Sequence, residues 1–485
     1  MSSNHPQLLE HALFQAALPI IHRLERAGFE TVFVGGCVRD RLAGRDISDV
    51  DIATSAAPDQ VIEQFEHVIP TGLQHGTVTV VMDGEAYEVT TFRKESAYEA
   101  YRKPSSVEFI SDLAEDLRRR DFTINAMAIN GRGQLLDPFG GQEDLRSGLV
   151  RCVGDADARL QEDALRMLRG IRFAAEFGTG REPIESATWA AMLRHRSLLR
   201  HIAMERVGVE LHKMVKGRQP DQAMRLLHAS GLLAHTKEAL PLAGEAALAR
   251  WSQYAGPQQS AEYGVECGAD AESQARHTLS ALGHPSIRWA ALCIASGLDE
   301  QEARALMQAL RYSRHYEDEV TKLVALHLRG LAQLEQAADD WRRSWTQLIL
   351  EYGTHNAERW LELLVQAPDL TDRSMESLGI ACGRGELGTD VEPGTAGAAN
   401  SQMRSASASI GARLEGLRLV LQELPVYSLQ QLVVNGNDLM RQLALRPGPH
   451  IRELLQELLL QAALGEVPNE QEALLLAARR LAEKE

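Results

Sequence analysis

Apolar residues recur at spacings of three and four over residues 6–28. Leu8, Leu9, Ala12, Leu13, Ala16, Ile20, Ile21 and Leu24 predict one amphipathic helix, stopped by Gly28. The period then shortens. Thr31–Val34 reads as a strand, Gly35-Gly36 as a turn, the residues up to Gly44 as a helix of about two turns, and Ile47–Ile52 as a second strand. Thr54-Ser55 and Pro58 open a helix through Phe65, with proline near the first turn where its missing N–H costs least. Two further strands, Gly76–Met82 and Ala86–Phe92, are joined by Asp83-Gly84-Glu85 as a tight hairpin. Arg93–Ser106 is polar and aperiodic and reads as a mobile loop, and Val107–Ile110 reads as a strand. Residues 1–150 thus predict a small mixed α/β unit with short crossovers.

From about Glu162 onward the pattern is helical throughout. Asp163–Phe177, Pro183–Arg194, Ala203–Met214 and Pro220–Leu233 all carry helix-period apolar positions, and Leu and Ala dominate to the C-terminus. Residues 379–411 interrupt this with seven Gly, one Pro and several Ser and Ala, which predicts a flexible linker or insertion. A last helical stretch runs from Ala412 past Leu481, punctuated at Asn435-Gly436-Asn437-Asp438 and Pro447-Gly448-Pro449. The expected fold class is α+β at the N-terminus followed by an all-α remainder.

Composition sharpens this only in places. A chain of 485 residues exceeds one compact domain, so about two to four units are expected. The N-terminal residues lack a basic region followed by an apolar one, and no apolar run reaches about 18 residues, so a cytoplasmic location is expected. The five cysteines are odd in number and never in C-x-x-C spacing, which points to neither a disulfide framework nor a zinc site. Net charge is −16, which by itself opposes nucleic-acid binding. The average hides a reversal: residues 1–150 hold 14 Lys/Arg against 23 Asp/Glu, whereas residues 151–220 hold 13 against 9. No G-x-G-x-x-G or G-x-x-x-x-G-K-[ST] is present, so the dinucleotide-binding and P-loop readings lose their main support.

Three constellations carry candidate chemistry. On a strand, Asp49 and Asp51 point to one face, close to the mouth of the Gly35-Gly36 turn. Paired carboxylates there suit Mg²⁺ holding a polyphosphate, since Mg²⁺ prefers one or two carboxylates plus phosphate oxygens. Otherwise they are a solvated D-x-D. Glu88, central on a hairpin strand, is the candidate for a third carboxylate, or else an exposed strand residue. The second constellation is Leu117-Arg118-Arg119-Arg120-Asp121-Phe122-Thr123-Ile124-Asn125. Arg120 there is a candidate phosphate contact and Asp121 and Asn125 candidate ribose contacts; the alternative is a basic helix end with Asp121 as an N-cap. The third is Glu162-Asp163-Ala164-Leu165-Arg166-Met167-Leu168-Arg169-Gly170-Ile171-Arg172. On a helix, Asp163, Arg166 and Arg169 share an arc of about 120°, and Arg172 lies nearly opposite Asp163, suited to phosphate or packing. An Asp–Arg pair offers an acceptor beside a donor, which matches the pairing edges of adenine and cytosine and refuses guanine and uracil. The alternative is an i, i+3 surface salt bridge.

In this order along residues 31–180, the motifs G-G-x-V-R-D, D-x-D, E-V-T-T-F-R, R-R-D-F-T-x-N-A-M-A, D-P-F-G-G and E-D-A-L-R-x-x-R resemble the bacterial class II CCA-adding tRNA nucleotidyltransferases and their poly(A) polymerase relatives. Val433–Leu439 and Gly465–Asn469 are similar to the tail of the stand-alone CCA-adding enzymes. The resemblance implies a catalytic head over 1–150, a base-selecting neck over 151–219, a body over 220–378 and a tRNA-binding tail over 412–485. It implies Asp49 and Asp51 as metal ligands, and Gly36, Arg39 and Arg120 as triphosphate contacts. Asp163 and Arg166 match the base-reading pair, with Arg169 and Arg172 as further nucleotide contacts. Arg93–Ser106 resembles a loop that CC-adding relatives lack, which favours addition of the terminal A; the 379–411 segment departs from the family pattern. The implied activity is template-independent addition or repair of the 3′ CCA of tRNA from CTP and ATP with Mg²⁺. The alternatives are a poly(A) or A-only product, or an RNA-binding protein with a dead head.

Overall fold

The computed structural model describes residues 3–4, 6–95, 98–99, 103–104, 107–179, 182–244, 246–247, 250, 278–336, 340–367 and 413–482. The expected insertion at 379–411 lies outside the described residues. The chain divides into two compact units: residues 1–243 with 309–311, and residues 244–308 with 312–485. The sequence-expected head and neck therefore fall together in the first.

The first unit is built on an eight-stranded sheet. Its strands are β1 (Ser3–Asn4), β2 (Thr31–Val34), β3 (Asp51–Thr54), β4 (Val68–Gly72), β5 (Thr77–Met82), β6 (Glu85–Thr91), β11 (Ala128–Asn130) and β12 (Gln134–Leu136), in the order β1-β12-β11-β2-β3-β6-β5-β4. Of these pairings, only β3–β6 is parallel. The β5–β6 hairpin turns at Asp83 and Gly84, both at positive φ (54° and 84°), with Met82 opposite Glu85. Two residues at positive φ are what a two-residue hairpin turn matching the strand twist requires.

The central strands are buried on both faces. Phe33, Ile52, Val78, Val80 and Val89 join Phe14, Ile20, Ile21 and Leu24 of helix α1 (Ala12–Arg26). Val32, Val34, Ala53 and Phe92 pack instead with Leu113 and Leu117 of a later helix, and with Ala126 and Ala128. The strand side-chain period of two divides Phe33 from Val32 and Val34, and Ile52 from Ala53. The predicted N-terminal helix is shorter than its apolar pattern: residues Pro6–Glu10 form a 3₁₀ turn, and the His11 side chain caps α1 by accepting the Leu13 N–H.

Helices α2 (Gly36–Leu42), α3 (Pro58–Gln64), α4 (Leu113–Arg118) and α5 (Gly141–Ser147) fill the connections, and α6 (Ala156–Glu162), α7 (Leu165–Phe177), α8 (Ser186–His195), α9 (Met204–Lys216) and α10 (Pro220–Ser230) follow. The predicted loop Arg93–Ser106 is not without structure. β7 (Arg93–Glu95) pairs antiparallel with β10 (Val107–Phe109), and β8 (Tyr98–Glu99) with β9 (Lys103–Pro104). Polar residues without apolar alternation carry no strand signal in the sequence.

The second unit is helical among its described residues. The long helix Arg314–Gln336 packs with Pro285–Ala295, Trp341–Tyr352 and Thr354–Gln366 around the fully buried Trp289, Trp345 and Trp360. The helices Gly436–Leu443, Pro449–Ala463 and Gln471–Ala482 share a leucine-rich core that includes Leu439, Leu458, Leu459 and Leu474. Asn435 caps Gly436–Leu443 by accepting from the N–H groups of Asn437 and Asp438, and Pro449 opens the next helix. No helix of the described residues is long and apolar enough to cross a membrane.

Candidate active site

The acidic pair sits at the start of β3, but not both on it. The strand begins at Asp51; Asp49 lies in the segment before it. The reason is register. β2 ends at Val34, which pairs with Asp51, and the chain then turns at Gly35, so residues before Asp51 have no backbone to pair with on that side. The alternation survives over the last four positions: Val50 and Ile52 are buried, and Asp49 and Asp51 are exposed. Ser48 Oγ donates to Asp49 Oδ1 at 3.2 Å.

On the parallel neighbour β6, Glu88 stands in register with Asp51. Asp51 keeps a path to solvent but is ringed by protein. Lost hydration, then the charge of Asp49, and also that of Glu88, push its pKa up, and Arg120 opposes them. Two oxygen-donor side chains that repel each other in this way fit a divalent cation. Among the described residues, no group of three or more His, Cys, Asp or Glu side chains is arranged to hold a metal ion. Glu88 therefore neighbours the aspartates without completing a three-carboxylate site.

Arg120 follows the basic end of α4. A Cβ placed on Gly35 (φ +75°) would lie 2.9 Å from Arg120 Nη1 and 3.7 Å from Asp51 Oδ2. A glycine here both adopts a conformation costly to other residues and leaves room for the guanidinium and carboxylate. Asp116, 1% exposed, anchors the basic end: Oδ1 accepts from Arg119 Nε at 3.0 Å and from the Arg93 N–H at 3.1 Å. Its Oδ2 lies 3.7 Å from Arg120 Nη2, too long for a hydrogen bond. Asp116 Oδ2 and Arg120 Nε are both buried without a hydrogen-bond partner. Burial pulls the Arg120 pKa down, Asp116 and Asp51 oppose it, and the guanidinium stays charged.

Behind this lies a chain of alternating partners. Arg39 Nη1 donates to Asn125 Oδ1 at 2.6 Å, and Asn125 Nδ2 donates to Asp121 Oδ1 at 2.9 Å. Asp121 Oδ2 accepts from Arg169 Nε at 2.7 Å. Arg169 lies 3.9 Å from Glu210, which accepts from Arg172 Nε at 2.7 Å. Three of these arginines surround one ring: Arg39, Arg169 and Arg172 lie 5.0, 5.3 and 4.1 Å from the Phe173 centroid. Arg39 also lies 4.8 Å from the Phe177 centroid, and it pairs with Asp40. Burial pushes the Asp121 carboxyl up, but Arg169, Asn125 and Arg166 outweigh it and hold it well below the ordinary range. Asp121 and Asn125 are thus buried links between arginines, and Asp121 also accepts the Phe122 N–H.

One expectation for the neck is corrected. Asp163 is not on the helix with Arg166: α6 ends at Glu162, α7 starts at Leu165, and Asp163 between them is extended (φ −139°, ψ 104°). The alternative reading, an i, i+3 salt bridge between Asp163 and Arg166, is not formed among the described residues. Asp163 pairs with Arg206 of α9 at 2.8 Å, and Arg166 donates to Glu162 at 2.6 Å and to the carbonyls of Arg159 and Arg119 at 2.8 and 3.0 Å. Arg172, for which phosphate contact or packing is expected, is 7% exposed and engaged with Glu210 and Glu176.

Sequence reasoning missed Asp116, Phe173, Arg206 and Glu210. Only Asp116 carried a local signal, three and four residues before Arg119 and Arg120 on a helix end. Arg206 and Glu210 lie a helix away from their partners, and Phe173 and Phe177 at i, i+4 read as ordinary core.

A family profile described as the poly A polymerase head domain matches residues 31–151. One described as the probable RNA and SrmB-binding site of polymerase A matches 183–241, and one for tRNA nucleotidyltransferase domain 2 matches 401–478. Sheet, acidic pair and basic neighbours thus define a nucleotidyltransferase with a poly(A) polymerase-type head. The CCA-adding enzyme of Geobacillus stearothermophilus is 36% identical over 481 residues, covering 97% of this chain and 98% of its own. That of Geobacillus sp. (strain WCH70) is 35% identical over 460 residues, 95% of each chain. A crystal structure of the Bacillus stearothermophilus CCA-adding enzyme in complex with CTP matches with a TM-score of 0.69 at 32% identity, over 98% of this chain and 99% of that one. The chain belongs to the family of CCA-adding enzymes.

Proposed function

We propose that this chain adds or repairs the 3′-terminal CCA of tRNA from CTP and ATP without a nucleic-acid template. The observation that carries the reading is the placement of Asp49 and Asp51, open to solvent and mutually repulsive, beside Gly35 and the Arg120 guanidinium. Nucleotidyltransferases of this family use divalent metals, and we assign Mg²⁺ to the two aspartates. Bound there, it supplies charge neutralisation for the triphosphate and activation of the attacking hydroxyl. The terminal ribose oxygen of the tRNA forms a bond to the α-phosphorus, the α–β phosphoanhydride bond breaks, and pyrophosphate leaves.

Arg120 holds triphosphate oxygens next to Asp51, and Gly36 and Arg39 line the same turn. Asn125 and Asp121 orient Arg39 and Arg169, and act on the nucleotide through them. Asp163 and Arg166 read the base edge, with Arg169 beside them. Glu88 adds negative charge at the rim. The neck over 151–219 selects the base, the body over 220–378 follows it, and the tail over 412–485 binds the tRNA. Poly(A) synthesis by the same chemistry is not favoured, because the near full-length relatives are CCA-adding enzymes.

The test is a tRNA ending at its discriminator base, incubated with CTP and ATP and sequenced at the 3′ end. Products ending in CCA support the reading; CC, a single A or an A tract overturns it.

A further inference from the structure

Asp163 is held by contacts that nearly fill it. Its Oδ1 accepts the Leu165 N–H at 3.0 Å and, more weakly, Arg206 Nη1 at 3.4 Å, and its Oδ2 accepts Arg206 Nη2 at 2.8 Å. An ionised carboxylate has about four acceptor positions, two on each oxygen. Three are occupied, and the one left is on Oδ2. The side chains of Asp163 and Arg206 are 17% and 30% exposed, so the pair is within reach of a ligand edge. Arg206 stands on α9, more than 40 residues along the chain, so this arrangement is a product of the packing of α7 against α9.

We propose that Arg206 is a specificity-determining positioning residue, which fixes the plane of the Asp163 carboxylate and leaves it one acceptor position for the exocyclic amino group of cytosine or adenine. The proposal rests on the reading of Asp163 and Arg166 as the base-reading groups. The fork geometry of a guanidinium sets the rotation of a carboxylate as well as its charge, whereas an ammonium supplies charge alone. Without the fork, Asp163 is tied only through Oδ1 to the Leu165 N–H and turns about its Cβ–Cγ bond. A turned carboxylate reaches the ring N–H of guanine or uracil, which lies beside the position of the amino group on the pairing edge. The wrong bases then gain the partner that a fixed carboxylate denies them.

The experiment measures incorporation efficiency for each of the four nucleoside triphosphates on tRNA ending at the discriminator base and on tRNA ending in CC. The readouts are the CTP-over-UTP and ATP-over-GTP ratios for wild type, Arg206→Gln, Arg206→Lys and Asp163→Asn. Arg206→Gln should lower both ratios by roughly tenfold or more through gains for UTP and GTP, with tRNA binding unchanged. Arg206→Lys should fall between, the partial rescue expected of charge without the fork. Wild-type ratios in Arg206→Gln beside altered ratios in Asp163→Asn overturn the role of Arg206 and leave the base-reading assignment standing. Wild-type ratios in Asp163→Asn overturn both. If Arg206→Gln does not fold, Arg206→Lys decides alone, and wild-type ratios there overturn the proposal.

Discussion

The first unit holds two kinds of carboxylate. Asp121 and Glu210 are 7% and 3% exposed, and each is matched to arginine at 2.7 Å. Their charges are satisfied by the protein itself, and both pKa values are lowered despite burial. Asp49 and Asp51 are exposed, form no ion pair within 4 Å among the described residues, and Asp51 is shifted the opposite way. A fold able to build the first arrangement has left the second without a cation of its own. The difference separates carboxylates that hold the site together from carboxylates that wait for a ligand.

That contrast breaks most sharply under substitution. Asp49→Ala or Asp51→Ala should lower nucleotide incorporation by roughly a thousandfold, several kcal/mol of barrier, while tRNA binding and folding persist. A filter-binding assay alongside single-turnover incorporation checks both halves. Asp121→Ala should act in the other direction, mainly on stability. Removing one member of a buried pair costs about 3–5 kcal/mol, and the lower end is expected because Glu210 remains near Arg169. Urea unfolding reads this directly.

Gly35→Ala lies between the two. The positive φ and the approach to Arg120 Nη1 should cost about 1–3 kcal/mol. Incorporation should fall by roughly ten- to a hundredfold as Arg120 is displaced, with the Michaelis constant for the nucleotide rising. The smallest effect is in the pH dependence, where the two kinds of carboxylate have opposite signs. Asp121 is depressed in the folded state, so its contribution is complete above the ordinary carboxylate range and is lost as pH falls below about 4. Asp51 is raised, so its ionisation opposes folding at neutral pH and ceases to do so as pH falls through its folded value. The penalty of Asp121→Asn should therefore shrink on acidification, and any gain from Asp51→Asn should shrink too. Unfolding series from neutral pH to about pH 2 measure both.

The same contrast marks what was legible in the sequence. The β5–β6 hairpin, the Gly35-Gly36 turn and the exposed aspartates follow from local pattern, because alternation and turn chemistry act over a few residues. Asp163 was misplaced because a helix-period pattern continues across it, while its carboxylate accepts the Leu165 N–H and ends one helix before the next begins. The partners Arg206 and Glu210 were illegible because they meet Asp163 and Arg172 only after α9 packs on α7. Local rules place a charge; the packed structure decides what neutralises it.

The most direct measurement is thermal unfolding of wild type and an Asp49→Asn/Asp51→Asn double variant, each with and without Mg²⁺ and CTP. Without the ligands the variant should be at least as stable as wild type, since two repelling charges are gone. With them the wild-type transition should rise and the variant's should stay where it was. An equal rise in both, or a variant already unstable without ligand, would contradict the assignment of these two carboxylates to the metal.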